Sequence, residues 1–157
     1  MADTFKVERS ATIAAPADVV FGFINDFHQW TLWSPWEKLD VELERSYSGP
    51  DAGVGAHYGW NGKKSGAGTM DIIASDPATR IGINLKFTKP FKAENETRFV
   101  LTPEGDATRV VWTMTGKSNL MHKVMGLFMN MDKMVGGSFE EGLASLKAIS
   151  EAKQAAA

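Results

Sequence analysis

The chain has 157 residues, 43% of them hydrophobic, a formal net charge of −2 and no cysteine. This length suits one domain over residues 1–157, and the scattered lysines and arginines exclude the basic stripe that nucleic acid requires. Without cysteine there are no disulfides, thiolate nucleophiles or sulfur-ligated metals.

Phe5 to Ile13 alternates in Phe5, Val7 and Ile13 and predicts a first strand. Ala15-Pro16-Ala17-Asp18 opens a short helix, with Pro16 suited to the first turn and Asp18 to the positive end of the dipole. Its buried stripe is Val19, Val20, Phe23, Ile24 and Phe27, and it stops near Asn25-Asp26. Three of the five tryptophans then fall within seven residues, Trp30 to Trp36. Trp30 reads as a hydrophobic plug between helix and sheet, whereas Trp33 and Trp36 flank Pro35 and are expected to line a rim.

From Val41 onwards the pattern is strands and turns. Val41 to Tyr47 alternates, Ser48 to Gly53 turns, and Val54 to Trp60 forms the next strand. Trp60-Asn61-Gly62-Lys63 carries a type I′ hairpin signal, since both central positions tolerate positive φ. Strands follow at Gly66 to Ser75, Arg80 to Thr88, Lys92 to Thr102 and Thr108 to Gly116, with turns at Asp76-Pro77-Ala78, Lys89-Pro90-Phe91 and Pro103 to Asp106. Ile81, Ile83, Leu85 and Phe87 share a face, as do Val110, Trp112 and Met114.

Leu120 to Ala156 predicts a long terminal helix. Its front half is apolar on nearly every side, as in helices buried on more than one face. Its back half narrows to Phe139, Leu143, Leu146 and Ile149, a stripe suited to lying on a sheet. The halves meet at Gly136-Gly137, where a bend is cheapest, and Glu151 to Ala157 is expected to fray. No run is apolar for long enough to cross a membrane, and the first residues lack a signal-peptide core. Cytoplasmic location and no stable membrane insertion are therefore expected.

Together these elements make an α+β protein. Their order resembles the helix-grip fold of the START/Bet v 1-like superfamily, and more narrowly its bacterial polyketide cyclase/dehydrase-like (SRPBCC) family. The resemblance rests on Trp30-Thr31-Leu32-Trp33-Ser34-Pro35-Trp36, Gly53 to Gly62, Gly66-Ala67-Gly68-Thr69-Met70, Lys89-Pro90-Phe91, Thr108 to Gly116 and Phe139 to Lys147, in that order over almost the whole chain. It implies a curved antiparallel β-sheet wrapped around a long C-terminal α-helix, with two short helices between strands 1 and 2. It also implies a cavity in which a hydrophobic small molecule, lipid- or polyketide-like, is bound, carried or transformed. The chain is expected to act as a monomer or homodimer.

The glycines at 49, 53, 55 and 59 lie between strands rather than between a strand and a helix, so they are no dinucleotide fingerprint. His28, His57 and His122 share no i, i+4 spacing, and no metal or cofactor is expected. His122 begins the methionine-rich helix, at a cavity mouth or as a surface cap. If Trp60 faces inwards, period two sends Tyr58 inwards and His57 outwards. Tyr58 is thus the candidate catalytic donor should the protein be a cyclase or dehydratase. Methionine and aromatic side chains suit a wall that fits varied apolar shapes. The candidate ligand-binding set is Trp33, Trp36, Tyr58, Trp60, Met70, Phe87, Phe91, Trp112, Met114, Met121, Met125 and Met129. Three readings follow: a non-catalytic binding or carrier protein, a cyclase or dehydratase using the same pocket, and a protein-interaction module that exposes Trp33, Trp36 and the methionines.

Overall fold

The computed structural model describes residues 4–38, 42–63, 66–89, 92–117 and 131–156. The strands are β1 (Thr4–Ile13), β2 (Glu44–Ser48), β3 (His57–Gly62), β4 (Gly66–Asp76), β5 (Arg80–Lys89), β6 (Ala93–Glu104) and β7 (Ala107–Lys117). They form one antiparallel sheet in the order β1-β7-β6-β5-β4-β3-β2, so β2 to β7 is a meander and β1 closes onto its last strand. Helix α1 (Ala17–Ile24) and two 3₁₀ helices, Phe27–Leu32 and Pro35–Lys38, lie between β1 and β2. Helix α2 (Met131–Ala156) packs along β1 and against α1. β4 is irregular at Ala67/Gly68 and at Ile72/Ala74, where the extra residue of a bulge bends a strand.

Period two decides which face is covered. In β6, Asn95, Thr97, Phe99 and Leu101 are buried while Glu94, Arg98 and Val100 are exposed. Cross-strand rows then run over the helix-facing side: Tyr58, Met70, Leu85 and Asn95, then Ile72, Ile83, Thr97, Met114 and Val7, then Ile81, Phe99 and Trp112. The buried face of α2 is Phe139, Leu143 and Leu146, the expected stripe, and its helix continues to Ala156 where a frayed tail was expected. The tail is held in part by Glu151, whose carboxylate accepts from the Ala14 amide at 2.8 Å and pairs with Lys147.

Three expectations of local structure change. Asn61 and Gly62 remain in strand, paired with Ala67 and Gly66, so they are not the centre of a two-residue turn. The strand expected from Val54 begins only at His57, because Gly53 and Gly55 take positive φ and the chain loops there. Gly136-Gly137 does not interrupt α2. A Cβ at Gly136 would meet the Arg9 guanidinium, the far end of a flexible side chain, so that glycine lies under a side chain of β1 rather than at a break in the helix. Residues 118–130, the front of the expected terminal helix, lie outside the described residues, as do Lys64, Ser65, Pro90 and Phe91.

Candidate functional site

The helix-facing side of the sheet divides into two halves that differ in how they are filled. The filled half is built by the tryptophan segment. In a 3₁₀ helix residues three apart stack on one face, and Phe27, Trp30 and the capping residue Trp33 follow that spacing. All three are buried, while His28, Thr31 and Leu32 are exposed. The two indoles also complete α1. Trp30 Nε1 donates to the Ile24 carbonyl and Trp33 Nε1 to the Phe23 carbonyl, both at 2.8 Å. These are among the last carbonyls of α1, which lack partners within a helix of that length.

Beneath them Phe99, Trp112 and Phe139 stack in sequence, with ring centroids 4.8 Å and 4.0 Å apart. Trp30 and Trp33 stand edge-on to this stack. Trp36 stands edge-on to Trp112 and Phe139 at the margin and remains 36% exposed. Gly142 permits the closeness, because a Cβ there would lie 2.9 Å from both Pro35 and Trp112. Two sequence expectations are corrected here. Trp33 is 2% exposed and belongs to the core rather than a rim. Trp112 is sandwiched between two rings and offers no open face as a pocket wall. Its Nε1 is buried without a hydrogen-bond partner among the described residues.

The second half lies towards the β6–β7 ends from which the chain leads to 118–130. Tyr58, Trp60, Met70, Leu85, Phe87 and Met114 share its face, and period two sends Tyr58 and Trp60 inwards together, as expected. Trp60, Met70, Leu85 and Phe87 are only partly buried, although they lie on the core side and pack against it or against one another. Tyr58 is 5% exposed and sits among Phe27, Tyr47 and Trp60. Two buried polar residues that the sequence reading passed over, Asn95 and Thr97, stand in the same rows. Continuing the alternation of Phe99 and Leu101 backwards along β6 would have found them. Of the expected lining residues, Phe91, Met121, Met125 and Met129 lie outside the described residues, as does His122.

The histidines play a different part. His57 turns to the opposite face and pairs through Nδ1 with Asp71 Oδ1 at 2.6 Å; His28 pairs with Asp26 Oδ1 at 2.8 Å and stacks on Tyr47. Both residues line a half-open hollow of about 150 Å³ beside the Ser48 to Asp51 turn, with Phe27, Tyr47 and Ala56. Among the described residues no three histidine, aspartate or glutamate side chains converge as a metal ligand set.

A curved antiparallel sheet that grips a long C-terminal helix defines the helix-grip fold of START/Bet v 1-like proteins, and solved structures agree. A protein from Rhizobium leguminosarum superposes with a TM-score of 0.69 at 16% identity, over 96% of this chain and 97% of that one. The Aha1 dimer of Colwellia psychrerythraea gives 0.64 at 15% identity, covering 94% and 96%. Ara h 8.0201 gives 0.65 at 11%, covering 95% and 99%. At these identities the likeness establishes the fold alone. Residues 4–151 match the model of the polyketide cyclase / dehydrase and lipid transport family, and the chain belongs to that family. No curated protein is similar enough to add a closer relative. Among the described residues no helix is long and apolar enough to cross a membrane.

Proposed function

We propose that this protein binds or carries a hydrophobic small molecule against the half of the sheet that the described residues leave unfilled. The observation that carries the reading is the contrast between the two halves. Rings from the two 3₁₀ helices, β6, β7 and α2 fill one, while Trp60, Met70, Leu85 and Phe87 in the other stay partly uncovered on the core side of the sheet. Four large apolar side chains on one concave surface are a binding wall rather than scattered surface residues. A micromolar Kd, about −8 kcal/mol, needs roughly 330 Å² of apolar surface covered at ~25 cal/mol/Å² before the cost of association is added. The guest must therefore bury most of its surface, as a fused-ring or long-chain molecule can.

Tryptophan emission tests this directly, because Trp60 is the indole of the open half. A panel of apolar ligands should shift the emission of the wild type and of Trp36→Phe, and leave that of Trp60→Phe unmoved. No response at saturation in the wild type would refute the proposal.

The family description also covers cyclases and dehydrases. Tyr58 supports a catalytic variant of the reading, since it faces the helix side beside the open half. Turnover lost in Tyr58→Phe with binding retained would establish it, and binding lost together with turnover would sink it. The burial of Trp33 speaks against an exposed interaction patch built on that ring.

A further inference from the structure

The seven strands do not close into a barrel, so the sheet ends on two edges, β1 and β2. An edge strand presents backbone N–H and C=O groups to any further strand, and proteins cover or blunt such edges. β1 is covered. Arg9 Nη1 donates to the Glu8 carbonyl at 2.8 Å and Lys147 Nζ to the Thr12 carbonyl at 3.3 Å, and just beyond the strand the Ala14 amide donates to Glu151 at 2.8 Å. β2 is the contrast. Glu44, Arg45, Ser46 and Ser48 are exposed and Tyr47 is partly buried, and the strand contains neither proline nor lysine. Among the described residues β3 is its one strand partner.

We infer that β2 is the docking edge for a second copy of this chain, pairing antiparallel with its own counterpart about a two-fold axis at Ser46 so that the two sheets run on as one. The stretch Glu44-Arg45-Ser46-Tyr47-Ser48 complements itself in that register. Ser46 meets Ser46 of the second copy, Arg45 meets Tyr47 on one face, and Glu44 meets Ser48 on the other. All five residues pair and no like charges oppose. A slide of two residues keeps the side chains on their faces, but it sets either Arg45 against Arg45 or Tyr47 against Tyr47 and shortens the ladder. Arginine beside a tyrosine ring is a favourable cross-strand neighbour. So short an interface makes a weak dimer, which forms only as concentration rises.

Sedimentation velocity over a concentration series tests edge and register together. The wild type should pass from monomer to dimer. Ser48→Lys sets a lysine opposite Glu44 of the second copy, twice about the axis, and should tighten the dimer about 2- to 30-fold, while Ser48→Glu should loosen it by a similar factor. Adding Glu44→Lys to Ser48→Glu restores two opposite-charge pairs and should recover the dimer. The chain has no cysteine, which gives an independent check should a charge variant fail to fold. Ser46→Cys, on the axis, should give a disulfide-linked dimer under mild oxidation, and Ser48→Cys, whose counterpart lies too far away, should not. A wild type that stays monomeric throughout, a dimer indifferent to the charge at position 48, or one that lysine and glutamate shift in the same direction overturns the inference, as does equal cross-linking by the two cysteine variants.

Discussion

Gly137 and Gly142 occupy interior positions of the same helix but meet different surroundings. Replacing either with alanine removes the same backbone-entropy penalty, about 1 kcal/mol in favour of the folded helix. At Gly137 nothing lies within 4 Å of the new methyl group, so that gain should appear in full. At Gly142 the methyl would sit 2.9 Å from Pro35 Cδ and from Trp112 Cζ3, well inside the ~3.5–4.0 Å optimum for carbon pairs. Neither neighbour gives way easily, because one is a proline ring and the other is clamped between Phe99 and Phe139. Overpacking of this kind costs about 1–3 kcal/mol, so Gly142→Ala should be less stable than Gly137→Ala by about 2 kcal/mol. Urea denaturation of both variants and the wild type measures the difference from midpoints at constant slope. Equal stabilisation by the two substitutions would show that the Pro35–Trp112–helix junction has slack and that this half of the sheet is not filled.

The indoles of the filled half predict a second ordering. Trp33→Ala should cost about 3–5 kcal/mol, since it also strands the Phe23 carbonyl, whereas Trp36→Ala should cost clearly less because that ring is already 36% exposed. Thermal melts rank the two, and equal losses would contradict the placement of Trp33 in the core. Glu151 is held below the usual glutamate range by the Lys147 ammonium, which donates to it, and by the Ala14 amide. Its carboxyl is more acidic folded than unfolded, so its contribution to stability is present above the unfolded value and lost as pH falls through the folded one. Lys147→Ala should raise the Glu151 titration midpoint read by NMR; an unmoved midpoint would show that the pair is not formed in solution. Glu8 is lowered in the same sense, first by the Thr113 hydroxyl that donates to it, and Thr113→Val should raise its midpoint.

The sheet was legible because its inward residues repeat every second position. Ile81, Ile83, Leu85 and Phe87 announce β5, and Phe139, Leu143 and Leu146 announce the helix that covers the sheet. What escaped depended on partners distant in sequence. Gly136 reads as a hinge until Arg9, on the first strand, is seen to lie over it. Trp33 and Trp36 look equivalent around Pro35, and only the 3₁₀ spacing from Phe27 and the waiting Phe23 carbonyl separate them. Asn61-Gly62 suits a turn locally, but pairing with Gly66 and Ala67 keeps both residues in strand. Asn95 and Thr97 were passed over because polar residues in a strand suggest solvent, although their register with Phe99 places them inside.

Methyl NMR during titration with 2-naphthol asks the central question most directly, since both halves of the site carry methyl groups. Resonances of Met70, Leu85 and Met114 should move in step to saturation while those of Leu143 and Leu146 stay in place. Shifts at Leu143 and Leu146 with none at Met70 and Leu85 would place the guest elsewhere and contradict the division of the sheet into a filled and a receptive half.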